Sequence, residues 1–180
     1  MSTRAILRPN AVKAAIDLKN TVYTDHISFV KTDSHPSHFK TVRHAFKKMI
    51  SPIYGDQSNA IAKIKEGRDR ACEIMLKYDN PLGIIVYKNQ LQNEYGLERA
   101  LELKTLFLFN PDKNSGNGYG SRLFTRIDEV AFEMGTTTIY CTASSKVENS
   151  IKCAIKNGYM ISRILEQDEE RTLYLLIKEL

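Results

Sequence analysis

Tryptophan is absent, prolines number five and glycines nine, and no apolar run approaches the roughly 20 residues of a membrane-spanning helix. Residues Met1 to Leu7 lack the apolar h-region of a secretory leader, so the expected address is cytoplasmic, away from any membrane. Cysteine is scarce too: Cys72, Cys141 and Cys153 are odd in number, far apart and each inside an apolar segment. With no Cys-x-x-Cys or Cys/His spacing, they read as buried thiols rather than disulfide partners or zinc ligands. His35 and His38 lie near Asp33, but read as solvated or capping groups at a helix start, and no metal is expected. Internal repeats, low-complexity tracts and linkers are also missing.

What is present is an ordinary globular composition. A chain of 180 residues, 42% of them apolar, is long enough to bury about 70% of its unfolded surface as one domain. Residues 1–180 are read as that single domain, with 1–20 a helical extension in which Val12 to Leu18 form a short amphipathic helix. The net charge of +5 is unevenly spread. Through Arg70 there are 13 basic and 6 acidic residues; from Ala71 onward there are 13 and 15.

Hydrophobic periodicity gives the order of elements. Thr21 to Val30 has the β-branched and aromatic content of a strand. A helix opens at Pro36, with Phe39, Val42, Phe46, Met49 and Ile50 on one face, and is expected to end at Ser51-Pro52. A second runs from Gln57 to Glu66 and stops at Gly67. Ala71 to Lys77 and Leu82 to Leu91 read as strands joined by the turn Tyr78-Asp79-Asn80-Pro81. After the central segment come a strand at Ile139 to Ala143, a helix at Val147 to Lys156, and strands at Met160 to Leu165 and Thr172 to Ile177. The order is β-α-α-β-β-β-α-β-α-β-β, an α+β chain with a mixed sheet.

The stretch from Leu101 to Gly135 organises the rest. Leu103 to Phe109 reads as a buried strand and Asn110 to Ser115 as a turn. Ser121 to Met134 reads as an amphipathic helix, with Leu123, Phe124, Ile127, Val130, Ala131 and Met134 at helical spacing and Gly135 as its C-terminal stop. Between strand and helix, Gly116, Gly118 and Gly120 alternate. Glycines at this spacing let the backbone curl so that amide N–H groups converge at a helix N-terminus, which suits a phosphate. A Walker A loop would need Lys after Gly120, and a Rossmann turn a glycine at Ser121 with an acid where Thr136 to Thr138 stand, so neither applies.

Ser115-Gly116-Asn117-Gly118-Tyr119-Gly120, followed by Ser121-Arg122-Leu123, resembles the acyl-CoA loop of the GNAT superfamily of N-acetyltransferases, Arg/Gln-x-x-Gly-x-Gly/Ala. It matches at both glycines and departs at the opening Arg/Gln, where Ser115 stands. Downstream, Lys156-Asn157-Gly158-Tyr159 is similar to the closing Lys-x-Gly-Phe of that family, so the resemblance by motif spans Leu101 to Tyr159. It implies the GNAT fold, a sheet splayed between its fourth and fifth strands, and acetyl-CoA as cofactor. The pyrophosphate would lie on Gly116 to Ser121, with Lys113, Asn114, Asn117 and Arg122 near the outer phosphates. The pantetheine arm would pair with Phe107, Leu108 and Phe109.

The implied reaction is direct attack of a primary amine on the thioester in a ternary complex. A lysine-like amine has a pKa near 10.4, so a base or a desolvating pocket must remove a proton first. Glu102, with Glu73 behind it, is the candidate base. The family's tyrosine acid falls on Ala154, leaving Ser150, Cys153, Tyr140 or water, and its usual asparagine falls on Val147, with Asn149 as the nearby substitute. Three readings follow: an N-acetyltransferase, a toxin-like acetyltransferase acting on an RNA-borne amine, or a CoA-binding sensor without catalysis. The basic N-terminal part implies a neutral or acidic acceptor, a small molecule or a macromolecule, met by Lys40, Arg43, Lys47, Lys48, Arg68 and Arg70. A monomer or homodimer is expected.

Overall fold

A computed structural model, which describes residues 26–33 and 36–180, contains one seven-stranded sheet in the order β1-β2-β3-β4-β5-β7-β6. The strands are β1 (Ile27–Lys31), β2 (Arg70–Lys77), β3 (Asn80–Lys88), β4 (Leu101–Leu108), β5 (Thr138–Ser144), β6 (Met160–Gln167) and β7 (Thr172–Glu179). The helices are α1 (Pro36–Ala45), α2 (Ser58–Glu66), the single turn α3 (Pro111–Asn114), α4 (Tyr119–Glu133) and α5 (Glu148–Lys156). Every strand pair is antiparallel except β4 with β5, so the sheet is mixed as expected. The expected helix at Val12 to Leu18 and the start of the expected first strand lie outside the described residues.

The two faces of the sheet carry separate cores. Leu123, Ile127, Val130 and Ala131 of α4, with Ile151 and Ala154 of α5, pack on Met75, Ile85, Leu101, Leu103 and Ile139. Val42, Ala45 and Phe46 of α1 and its continuation, with Ile61 and Ile64 of α2, pack on Cys72, Ile74, Ile84 and Val86 from the other side. Each fully buried aliphatic side chain contributes about 1.5–3 kcal/mol, so the apolar stripes of α1 and α4 decide which way those helices face.

Two local expectations are corrected. The first helix does not end at Ser51-Pro52: it continues through a π-helical segment, Phe46–Ile50, and an α-turn, Ser51–Tyr54, before breaking at Gly55 with φ 78°. Pro52 stands in the first positions of that last turn, where its missing N–H is no loss. The segment Asn110 to Ser115 is a helical turn, α3, entered through Asn110 in the left-handed region at φ 47°.

A buried ion pair ties the two halves of the α4 layer together. Lys178 of β7 places its Nζ 2.7 Å from both carboxylate oxygens of Asp128 on α4. Gly158, at φ 94°, lies against the Lys178 stem, and the Tyr159 ring faces the ammonium at 5.8 Å.

Candidate active site

β4 and β5 pair through two positions only, Leu101 with Ile139 and Glu102 with Tyr140. Past these they part: β4 continues along β3 to the Leu108–Gly83 pair, and β5 along β7 to the Ser144–Leu173 pair. The cause lies in β4, where the register against β3 shifts between Tyr87–Leu103 and Val86–Thr105, leaving Lys104 as an extra residue. A bulge bends its strand, and this one falls just after the last β5 pair. The backbone edge of β4 from Leu103 to Leu108 therefore has no β5 partner. Phe107 and Leu108 are half-buried along that edge, while Phe109 is buried and donates its N–H to Leu82. Beneath them Gly83 is obligatory, because a β-carbon there would stand 2.7 Å from the Phe107 carbonyl oxygen.

The glycine loop caps α4 at the open end of this cleft. Gly116 (φ 81°) and Gly118 (φ 77°) are left-handed, and Gly118 is the residue that precedes the helix. The first helical bond runs from Arg122 N–H to the Gly118 carbonyl, so the amides of residues 119–121 have no acceptor within the helix. Asn114 shapes the approach by donating to the Phe109 carbonyl at 2.6 Å, and Asn117 donates to the carbonyls of Asn114 and Ser115. Cys153 of α5 abuts the loop, its Sγ lying 3.4 Å from where a β-carbon on Gly120 would be. Three amides at a helix start, in a turn where every second residue is glycine, suit an anion.

Around the cradle the cations divide. Lys113 is exposed beside the loop. Arg122 is instead turned onto Glu129 at 3.1 Å and stacked over Phe29, so it buttresses α4. Lys77, at the end of β2, donates to the Tyr119 hydroxyl at 3.0 Å and brings a positive charge that the sequence pattern did not reveal. Asn149 is exposed in the first turn of α5, and Ala154 is buried in the core, so no side chain at that position reaches the cleft.

At the vertex where the strands part, Glu102 and Tyr140 face each other. Glu102 accepts from the Lys104 ammonium at 2.6 Å and the Tyr140 hydroxyl at 3.0 Å, with the Lys88 ammonium at 3.2 Å. Burial alone would raise its pKa, but the Lys104 hydrogen bond and charge, helped by Tyr140 and Lys88, hold the carboxyl below its usual range. Burial and the neighbouring carboxylate push the Tyr140 hydroxyl far up, so it stays a donor. A cavity of about 350 Å³ opens here, lined by Lys88, Gln92, Asn93, Glu94, Glu102 and Tyr140.

Glu73 is elsewhere. Two strands from the cleft, it is 1% exposed, clamped by the Arg126 guanidinium at 2.7 and 3.1 Å and by the Tyr87 hydroxyl at 2.9 Å. The structure does not bring it to Glu102. The extension of α1 ends at Tyr54, a side chain 41% exposed near the end of β5, whose hydroxyl pKa is raised by its partial burial.

No family model and no curated protein matches the sequence. Solved structures do match the fold. A GNAT-family acetyltransferase from Desulfovibrio desulfuricans superposes with a TM-score of 0.67 at 12% identity, over 85% of this chain and 98% of that one. Arabidopsis thaliana Naa50 in complex with a CoA-containing bisubstrate analogue gives 0.65 at 17% identity, over 86% and 99%. An aminoglycoside 6'-N-acetyltransferase complexed with coenzyme A gives 0.66 at 16% identity, over 84% and 96%. The chain has the GNAT acetyltransferase fold, over nearly the whole length of these neighbours.

Proposed function

We propose that this chain is an acetyl-CoA-dependent N-acetyltransferase. The observation that carries the proposal is the meeting, at one cleft, of the amide cradle at residues 119–121 with the unpaired edge of β4. One is suited to a pyrophosphate and the other to an extended amide-bearing arm, and the turn of α3 links them. Lys77 and Lys113 supply charge for the phosphates, and the backbone of Leu108 on the unpaired edge of β4 pairs with the pantetheine, whereas Phe109 has its N–H on Leu82 and its carbonyl on Asn114. Neighbours complexed with coenzyme A or a CoA-containing analogue support acetyl-CoA as the cofactor. Acetyl-CoA brings the activated thioester; the protein's task is to align it and to receive a proton from the attacking amine.

Glu102 is the residue proposed to take that proton, through water in the vertex cavity. Held below the ordinary carboxylate range, it is a weak base and suits an amine of low pKa. An α-amino group, at about 7.7–8.0, fits better than a lysine side chain near 10.4. Tyr140 donates to Glu102, so no side chain is assigned as acid; a thiol of ordinary pKa near 8.5 can leave without one. The acceptor is proposed to be neutral or acidic, met by the basic outward residues Lys40, Arg43, Lys47 and Lys48 of α1 and its continuation. These also favour an RNA-borne α-amine as the macromolecular form of acceptor. Arg68 and Arg70 are not in this set, because they stand at the start of β2, at the opposite end of that strand from Lys77 beside the cradle.

The test is calorimetric titration with CoA, followed by mass spectrometry of an α-amine panel incubated with enzyme and acetyl-CoA. Gly118→Asp puts a negative charge at the cradle and should abolish CoA binding, whereas Gly118→Asn, tolerated at positive φ, should retain most of it. Equal CoA affinity for parent and a folded Gly118→Asp would refute the cradle. Binding without acetylation of any amine would favour the sensor reading.

A further inference from the structure

A second cavity, of about 360 Å³, lies at the end of the sheet remote from the glycine cradle and shares no lining residue with the Glu102 cavity. It is bordered by the end of β1, the start of β2, the end of β3 and the last turn of α4. Along α4 alone, Val130 in its wall is about 17 Å from Tyr119 at the cradle. Nothing in the proposed acetyl transfer uses it, and its volume falls within the range of small-molecule sites.

Its lining combines three chemistries. Arg70 and Lys31 supply positive charge, Asp33 and Glu133 negative charge, and Ile64, Val130 and Met134 an apolar wall. Arg70 stands out, because its guanidinium is mostly buried yet its Nε is without a hydrogen-bond acceptor. The nearest carboxylate oxygen, Asp69 Oδ1 at 3.6 Å, is itself buried without a hydrogen bond, while Oδ2 of the same residue is held by Lys63. Arg70 and Asp69 are thus ion-paired without a hydrogen bond between them, which leaves the outer guanidinium nitrogens for a further carboxylate. Glu133 has one oxygen on Arg126 at 3.0 Å, leaving the other for a ligand.

Equal numbers of cations and anions around an apolar wall suit a molecule that carries both charges next to a hydrocarbon group. We propose that this cavity is a second binding site, for a free α-amino acid with an apolar side chain. Its carboxylate would take the Arg70 fork and Lys31, its ammonium would take Glu133 and Asp33, and its side chain would cover Ile64, Val130 and Met134. A bidentate carboxylate partner for arginine is among the strongest charge-assisted contacts available.

The experiment is calorimetric titration of the whole protein with L-leucine and L-methionine. It is repeated with leucinamide, which lacks the carboxylate, and 4-methylpentanoate, which lacks the amine. The expected result is saturable binding of an amino acid, weakened about tenfold or more by removing either charge. Arg70→Met keeps the packing of the stem and should lower the affinity about tenfold or more, while CoA affinity stays unchanged. Absence of binding by both amino acids at millimolar concentration would overturn the proposal. So would 4-methylpentanoate binding as well as leucine, or a folded Arg70→Met that binds leucine as well as the parent. Should Arg70→Met fail to fold, the comparison of the four compounds on the unaltered protein decides the matter.

Discussion

Replacing Glu102 tests catalysis and stability in one set of variants. The residue is 7% exposed and receives the Tyr140 hydroxyl and two lysine ammoniums. Lys88 and Lys104 are more than a quarter exposed, so each ion pair is discounted to below about 1 kcal/mol. Tyr140 is buried, and a buried donor without its acceptor costs about 1–3 kcal/mol. Glu102→Ala should therefore destabilise by about 3 kcal/mol, and Glu102→Gln, which keeps an oxygen for Tyr140, by about 1 kcal/mol. For a domain of this size those values correspond to Tm losses of about 9 °C and 3 °C.

The pH dependence has a definite sign. The folded-state pKa of Glu102 is lowered from an ordinary 4.5, so its contribution is complete above that value and is lost as pH falls toward the folded pKa. The stability gap between parent and Glu102→Gln, measured by urea unfolding, should be constant from pH 8 to about 5.5 and shrink below about 4.5. On the catalytic side, loss of a positioned base lowers kcat/KM by about 10²–10⁴, with the KM for acetyl-CoA unchanged. A Glu102→Gln enzyme within threefold of the parent on an α-amine acceptor would refute the base role. A gap that widened in acid would refute the electrostatic reasoning.

Three further outcomes follow. Tyr159 has a buried hydroxyl without a hydrogen-bond partner, so Tyr159→Phe should leave stability unchanged or raise it by about 1 kcal/mol, and both it and Tyr140→Phe should retain most turnover. A several-hundredfold loss of turnover in either would identify an essential acid. Reversing Lys47 and Lys48 together to Glu should raise the acceptor KM and flatten its salt dependence, leaving that for acetyl-CoA in place; unaltered acceptor kinetics would remove α1 from acceptor binding. Asp128→Ala removes the carboxylate facing the buried Lys178 ammonium and should cost about 3–5 kcal/mol, whereas Asp128→Leu with Lys178→Met should be nearly neutral, as equilibrium unfolding would read.

Much of this architecture is legible from the chain alone, because it follows from short-range rules. The stripe from Leu123 to Met134 has no satisfactory place except against a sheet, and Gly116 and Gly118 permit a left-handed turn that side chains resist. The order of elements along the chain and the glycine turn follow from such local preferences. Boundaries governed by weaker local energies move: Pro52 begins a new turn instead of ending a helix, and Asn110 starts α3. The working contents of the cleft are of another kind. Lys104 becomes a bulge only because β3 and β4 are in a particular register. Glu102 meets Tyr140 across 38 residues of sequence, Glu73 is taken by Arg126 across 53, and Lys77 reaches Tyr119 across 42. Two carboxylates of similar local setting thus acquire opposite fates, one at the vertex of an open cleft and one sealed under an arginine. Side-chain electrostatics acts through space, and only the assembled sheet decides which charges share that space.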